Sequence, residues 1–414
     1  MNFEQAMSFV LFTTALCSYV NWKILKLPKS IGVTLVSLLI SIFINIISVL
    51  NEDINFYAHE LIETLGFNEA FLHGMLSFLL FAASIHINTE ELSKQKTLVA
   101  SFATFSVLIS TILIAYATYG ISMLGGLGLS FYYCLLFGAL ISPTDAISVI
   151  GVLRSMSLPK SLEMKITGEA LFNDGMSVGL FFLALALATG SIHNISIEHT
   201  FIYFLQVGVG GVLYGAALGW ITAKLIDKVD DHELIILLTL VLVTAGHAIA
   251  ESFLFVSGPI AIVIAGLIVG NSLKRSHVEP ATTRLVLDFW AMLDEILNVI
   301  LFVLIGIEFI YIDITKPVAL CSIAIIVIAN AARWISVFLP VALLSKLESF
   351  NISVITAMTW GGLRGGISIA LALGLSGPER DTIVTITYFV VLFSILVQGL
   401  SFKPLIAKLF PQPA

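Results

Sequence analysis

Three polar residues, Glu169, Asn173 and Asp174, interrupt the largely apolar stretch at 162–190. The stretch is long enough to cross a bilayer, and all three residues lie well inside it. A carboxylate at that depth costs roughly a few kcal/mol unless it is paired, protonated or bound to a cation. Their position therefore indicates a site for a small cation or a proton.

A second group of candidate ligands lies in the apolar stretch 129–155, where Thr144 and Asp145 directly follow Pro143. Proline has no amide hydrogen and clashes with the preceding turn, so we expect the helix to open there. In an opened backbone, the Thr144 carbonyl and the Asp145 carboxylate can both point into the break. Such hard oxygen ligands suit an alkali cation. Asp145 could also cap the second half-helix, and the two roles are compatible.

A further break is predicted in the apolar stretch 351–375, which contains GGLRGG at 361–366. Its glycines, Gly362 and Gly365 among them, weaken a helix. Broken backbone at membrane depth is tolerated only where it is buried in protein or lines a cavity. The two breaks therefore predict a buried site.

Helical spacing predicts where the side chains of 162–190 point. Ala170, Asp174 and Ser177 follow an i, i+4, i+7 pattern and share one face, whereas Glu169 and Asn173 share another. We therefore expect Asp174 to face the break at 143–145 and Glu169 to face a different neighbour.

Glu169 needs a cationic partner at this depth. Two arginines lie within apolar segments and are available, Arg333 and Arg364. Spacing alone does not choose between them.

Composition places these segments in an all-α polytopic membrane protein. The 414 residues are 58% hydrophobic and only 11% charged, whereas a soluble domain would be about a quarter charged. We count about thirteen apolar segments of spanning length, of which 129–155 is the fifth and 351–375 the twelfth. No phosphate-binding loop is found, so we expect gradient-driven transport with no enzymatic activity, no cofactor and no nucleic-acid partner.

The distribution of basic residues predicts the orientation in the membrane. If the N-terminus lies outside, only Lys316 and Arg380 of the twenty lysines and arginines fall in outer loops. Apart from Arg333 and Arg364, the others lie at the inner side, so the C-terminus is predicted to be cytoplasmic. The fifth and twelfth segments then run in opposite directions, as in inverted-repeat transporters with a site where broken helices cross.

With these residues in hand, the chain resembles the cation:proton antiporter superfamily, specifically the NhaP-type sodium/proton antiporters, relatives of the eukaryotic sodium/hydrogen exchangers. The resemblance covers nearly the whole chain. The motifs that carry it are SPTDA (142–146), GEALFNDG (168–175), SGPIAIVIAGLIVGN (257–271), FWAMLDEILNVILFVLIG (289–306), ANAARW (329–334), WGGLRGGIS (360–368) and VQGLSFKPL (397–405).

The resemblance implies the NhaA/NhaP-like fold, with about thirteen helices, inverted repeats and two broken crossing helices. It implies core transport helices at 97–190 and 312–414 and dimerisation helices at 1–96 and 191–311. It further implies a homodimer in the plasma membrane, elevator-like alternating access and a role in pH homeostasis.

The resemblance also implies residue roles. Asp174 looks like the essential aspartate that binds sodium and the proton in turn, with Asn173 as its companion. Thr144 and Asp145 look like sodium ligands from the unwound helix. An Asn-Asp pair resembles the electroneutral branch, which exchanges one sodium ion, or a lithium ion in its place, for one proton.

Two further roles follow from the resemblance. Glu169 and Arg333 look like a stabilising ion pair. Gly362, Arg364 and Gly365 match the second broken helix.

The chain departs from the family pattern at three positions. Ala170 stands where relatives often have Ser, Ala82 where many have Glu, and Ala146 where many have Pro. We hypothesise that Ser177 or a water molecule replaces the hydroxyl that is missing at Ala170.

Other functions remain as alternatives. A potassium or mixed monovalent cation/proton antiporter would use the same fold. An intramembrane aspartyl protease would need a GxGD-type motif, which is absent around Asp145 and Asp174. A channel would lack saturable, proton-coupled exchange.

Overall fold

A computed structural model describes residues 3–48, 75–94, 96–145, 160–188, 197–275, 278–312, 314–343 and 352–410. Within these ranges every regular element is a helix, which confirms the all-α prediction. The longer segments are rich in Leu, Ile, Val, Ala and Phe, and backbone groups in a bilayer must be satisfied within the segment, which a helix achieves.

The helices are numbered in chain order. They are α1 (Phe3–Val20), α2 (Lys29–Ser48), α3 (Leu76–Ile85), α4 (Thr89–Lys94), α5 (Lys96–Ser101), α6 (Val107–Leu124), α7 (Phe131–Ile141), α8 (Lys160–Ala188), α9 (Ile197–Ile226), α10 (His232–Ile249), α11 (Gly258–Arg275), α12 (Pro280–Glu308), α13 (Lys316–Leu343), α14 (Ile352–Trp360), α15 (Gly366–Leu373), α16 (Arg380–Phe393) and α17 (Gly399–Leu409). Short π-helical turns adjoin several of them, at Asn21–Leu25, Phe102–Ser106, Ala250–Leu254 and Ser394–Gln398, and a 3-10 turn at Phe309–Tyr311 follows α12.

Nine helices in the described ranges are long and apolar enough to cross a bilayer. Shorter apolar helices occur at Leu76–Ile85, Phe131–Ile141 and Gly179–Ala188. The last is the apolar half of α8, whose other half carries the polar residues identified above. Parts of the predicted third and fifth segments lie outside the described residues, so the number thirteen stays a prediction.

Both predicted helix breaks are found. Helix α7 ends at Ile141, two residues before Pro143, and residues 144–145 are not helical. Helix α14 ends at Trp360 and α15 begins at Gly366, so GGLRGG separates two half-helices. The half-helix expected after Asp145 falls in 146–159, outside the described residues.

The helices around the breaks pack closely. Helix α7 contacts α6, α8 and α15, while α13 packs against α6 and α16. Gly138 of α7 lies against the Thr111 backbone of α6, where a Cβ would overlap the carbonyl group. The Thr111 hydroxyl also donates to Ser142 Oγ at 3.0 Å, which fixes α6 against the end of α7.

A second set of contacts joins α9 to α11, α2 to α12 and α3 to α11. Gly215 and Gly219 of α9 lie directly against the backbone of Ala261 and Ala265 in α11. Small residues let helix backbones approach closely in a membrane. Helix α8 contacts α11 and therefore links this set to the helices around the breaks.

Candidate functional site

The two breaks meet directly. The Asp145 amide donates to the Leu363 carbonyl oxygen at 2.7 Å. A Cβ at Gly365 would overlap the Asp145 carboxylate, and a Cβ at Gly362 would crowd Thr144. Glycine is therefore favoured at both positions because the side chains of Thr144 and Asp145 lie so close to the second break.

The end of α7 carries backbone carbonyls that its own helix cannot satisfy. The Ala139 carbonyl would accept from residue 143, but Pro143 has no amide hydrogen, and the next residue is not helical. Two serines supply the missing donors: Ser177 Oγ donates to the Ala139 carbonyl and Ser368 Oγ to the Leu140 carbonyl, each at 2.6 Å. Helices α8 and α15 are thus both bonded to the open end of α7.

Arg364 donates to two further carbonyl groups just beyond the end of α7. Its Nη1 donates to the Ser142 carbonyl at 2.5 Å and to the Pro143 carbonyl at 2.8 Å, and the residue is only 4% exposed. Its amide donates to Ser394 Oγ at 2.8 Å. A cation at a helix C-terminus interacts favourably with the helix dipole, so Arg364 stabilises the broken end of α7.

Glu169 pairs with Arg333, which settles the choice that spacing left open. Arg333 Nη1 and Nη2 donate to the two Glu169 carboxylate oxygens at 2.5 and 2.9 Å. Both side chains are buried. Nη2 also lies 3.3 Å from the Met358 carbonyl oxygen near the end of α14. The pair therefore joins α8, α13 and the second break, and its bidentate geometry compensates burial of both charges.

Helix α8 faces these groups with one row of residues at i, i+4 and i+8. Glu169 contacts Arg333, Asn173 Nδ2 donates to Thr144 Oγ1 at 3.2 Å, and Ser177 contacts α7. The prediction placed Ser177 on the face toward the fifth segment, in agreement with its bond to Ala139, but it placed Asn173 on the other face with Glu169, whereas Asn173 also contacts Thr144. The difference arises because i+7 and i+8 positions are neighbours on a helix, so spacing alone does not separate them.

Asn173 and Asp145 supply oxygen atoms at the crossing. Asn173 is fully buried, and its Oδ1 has no hydrogen-bond donor within the described part of the chain. Asp145 is half-buried. Together with Thr144, they provide carboxylate, amide and hydroxyl oxygens of the kind that bind alkali cations.

Asp174 follows Asn173 in α8, one residue beyond the contact to Thr144. Its side chain lies outside the described part of the structure. Because Asn173 contacts Thr144, the α8 backbone places Asp174 beside the crossing.

The structure describes two of the three positions at which the chain departs from the family pattern. Ala170 in α8 and Ala82 in α3 are buried, and Ala146 lies outside the described residues.

The structure therefore brings most of the predicted site together. The residues that contact one another at the crossing are Pro143, Thr144, Asp145, Glu169, Asn173, Ser177, Arg333, Gly362, Arg364 and Gly365. Sequence reasoning missed Ser368 and the contact of Arg364 with α7. Pro143 does signal an unsatisfied carbonyl four residues before it, but the sequence does not show which donor reaches it.

Charged residues are concentrated around the crossing. Asp145, Glu169 and Asp174 are carboxylates, and Arg333 and Arg364 are cations. A carboxylate buried at this depth is costly unless it is paired, protonated or bound to a cation.

The chain is similar to known membrane transport proteins. Residues 11–408 match the family model described as "Sodium/hydrogen exchanger, transmembrane". The Na⁺/H⁺ antiporter NhaP of Pseudomonas aeruginosa is 40% identical over 410 residues, with 97% of this chain and 96% of that protein covered. The Na⁺/H⁺ antiporter NhaH of Halobacillus dabanensis is 32% identical, with 94% and 93% covered.

Among solved structures, the chain is similar to the sodium proton antiporter MjNhaP1 from Methanocaldococcus jannaschii at pH 8. The TM-score is 0.78 with 21% identity, and all of both chains is covered. At this identity, the likeness concerns the fold, and it confirms the predicted fold class.

Proposed function

Because the chain belongs to the sodium/hydrogen exchanger family, we propose that it exchanges sodium ions for protons at the crossing of its two helix breaks. It is a multi-pass membrane antiporter. The observation that carries the site assignment is the direct contact of the breaks, in which the Asp145 amide binds the Leu363 carbonyl. Thr144, Asp145 and Asn173 meet there beside the backbone of Asp174.

Asp174 is the group that sodium and the proton occupy in turn. Thr144 and Asp145 provide further sodium ligands, with Asn173 holding Thr144 in place. Ser177 already donates its proton to the Ala139 carbonyl, so only its oxygen lone pairs remain for a cation. The occupant neutralises the ionised Asp174 carboxylate.

Occupation of Asp174 by one ion at a time favours electroneutral exchange. A single sodium ion and a single proton each carry one positive charge, so the two loaded states carry equal charge. If the site crosses the membrane only when it is loaded, one sodium ion is exchanged for one proton. The empty site does not cross, because burying its unneutralised carboxylate is too costly. Lithium, another small hard cation, suits the same oxygen ligands as a second substrate.

The proposal also covers the domain organisation, the oligomeric state and the membrane orientation of the chain. Residues 97–190 and 312–414 form the transport core, which moves in an elevator-like manner against 1–96 and 191–311. The chain forms a homodimer in the plasma membrane, with the N-terminus outside and the C-terminus in the cytoplasm. The distribution of lysine and arginine supports this orientation.

Purified protein in liposomes containing a pH-sensitive dye tests the exchange. Sodium added to acid-loaded vesicles should raise the internal pH. Clamping the membrane potential with potassium and valinomycin should leave the rate unchanged if exchange is electroneutral. A rate that follows the imposed potential would contradict one-for-one exchange.

Potassium is the alternative substrate, since the same oxygen ligands can bind larger alkali cations. Parallel assays with sodium, lithium and potassium, with the potential set independently, separate the two. A potassium response equal to or above the sodium response would favour the mixed-cation exchanger.

A further inference from the structure

A groove of about 960 Å³ lies between the turn that follows α1 and helix α12, away from the crossing. Lys23, Lys26 and Lys29 line it, together with one carboxylate, Glu295. Lys29 Nζ lies 2.5 Å from Glu295 Oε2, so these two charges compensate each other. Within the described ranges no carboxylate pairs with Lys23 or Lys26, so the groove carries excess positive charge.

The turn that holds these lysines has a defined conformation. Asn21 is buried, and its side chain makes two hydrogen bonds to the Leu27 backbone, at 3.1 and 3.2 Å. Gly32 of α2 packs against the same Asn21 side chain, where a Cβ would overlap it. Lys26 adopts a left-handed conformation, with φ of 53°. The backbone between α1 and α2 is therefore shaped by specific contacts.

The rest of the groove is mostly apolar. Leu27, Val33, Ile296 and Val299 line it together with the lysines. Trp22 also lines the groove and is 73% exposed, as expected for an aromatic residue at a membrane interface. A ligand that fits must be anionic at one end and apolar along its length.

We propose that this groove binds an anionic phospholipid of the cytoplasmic leaflet. The lipid phosphate contacts the ammonium groups of Lys23 and Lys26, and an acyl chain lies along Val33, Ile296 and Val299. Basic pockets between transmembrane helices on the cytoplasmic side are suited to anionic headgroups. The inference uses the proposed orientation, which puts the turn between α1 and α2 inside, and is independent of the ion site.

Native mass spectrometry of the full-length protein in detergent tests this directly, with phosphatidylglycerol and phosphatidylcholine as probes. The test variant is K23Q/K26Q. The matched control is K403Q/K408Q, which removes two exposed lysines of α17 from the same predicted side of the membrane. Melting temperatures and sodium-dependent proton flux verify that both variants fold.

We expect wild type and K403Q/K408Q to retain phosphatidylglycerol in preference to phosphatidylcholine. Since each lysine near an anionic headgroup contributes about 1 kcal/mol, K23Q/K26Q should retain phosphatidylglycerol roughly thirtyfold less tightly. Equal retention by K23Q/K26Q and wild type would overturn the proposal, as would equal retention of the two lipids.

Two further outcomes would also overturn it. If inorganic phosphate displaces the lipid at low concentration and stabilises the protein equally well, the groove is a site for a free anion. If lipid binds the monomer but not the dimer, a second copy of the chain covers the groove.

Discussion

The amide of Asp145 and the carbonyl oxygen of Leu363 are 2.7 Å apart and join the two helix breaks through backbone atoms. The Asp145 carboxylate lies against Gly365 in the same contact. The contact with the second break therefore restricts the conformations that the Asp145 side chain can adopt. A cation ligand held in this way needs less reorganisation to bind an ion.

Gly365→Ala tests this packing. The added methyl group overlaps the Asp145 carboxylate and must push it aside. Displacing the support of a metal ligand typically lowers affinity ten- to a hundredfold, and we expect a loss of this order in apparent sodium affinity. The measurement is sodium-dependent proton flux in proteoliposomes across a sodium series.

Gly120→Ala in α6 is the matched control, because a Cβ there meets no atom within 4 Å. Its sodium affinity should equal that of wild type. Equal affinities for Gly365→Ala and Gly120→Ala would show that the Asp145 carboxylate is not positioned by the second break.

Glu169→Gln tests the buried ion pair. Arg333 would lose its charged partner while remaining buried, and removing one member of such a pair costs about 3–5 kcal/mol. We expect a clearly lower melting temperature in detergent, with reduced yield of folded protein.

The control for this change is Glu90→Gln, which breaks an exposed ion pair with Arg275. Exposed pairs contribute about 0–1 kcal/mol, so its melting temperature should remain near that of wild type. If both variants melt alike, the Glu169–Arg333 pair does not stabilise the fold.

Ser177→Ala and Ser368→Ala test the hydrogen bonds that these serines donate to the carbonyl groups at the end of α7. Each change leaves a buried carbonyl of α7 without its donor, at a cost of about 1–2 kcal/mol in the free energy of unfolding. Both variants should melt at lower temperature and bind sodium more weakly.

Ser322→Ala is a suitable control for the serine variants. Ser322 is also buried, but its hydroxyl donates to Val318 within its own helix, whose carbonyl is already bonded by the backbone. This variant should be close to wild type in both measurements. A loss in Ser322→Ala as large as in Ser177→Ala would contradict a special role for the open end of α7.

The sequence predicted the features that depend on local chemistry. Pro143 and the glycines of 361–366 disfavour helix at their own positions, so both breaks could be placed correctly. The need of Glu169 for a cation could also be predicted, because burial of an unpaired carboxylate is costly wherever the chain runs.

Features that depend on the relative placement of helices could not be predicted in the same way. Both Arg333 and Arg364 lie in apolar segments, and only packing shows that Arg333 reaches Glu169 while Arg364 reaches the carbonyls of α7. Ser368 is likewise an ordinary helical serine by sequence. Its role depends on α15 crossing the end of α7, which no local pattern encodes.

The central claim is that Asp174 is the shared binding group for sodium and the proton, and Asp174→Asn tests it most directly. Sodium-dependent proton flux is measured in proteoliposomes for wild type, Asp174→Asn and the control Asp288→Asn, which changes an exposed aspartate of α12. Because a neutral amide neither takes up a proton nor supplies a negative charge, we predict complete loss of flux in Asp174→Asn, with a melting temperature that shows intact folding, and wild-type flux in Asp288→Asn. Sodium-dependent proton flux retained by Asp174→Asn would contradict the account.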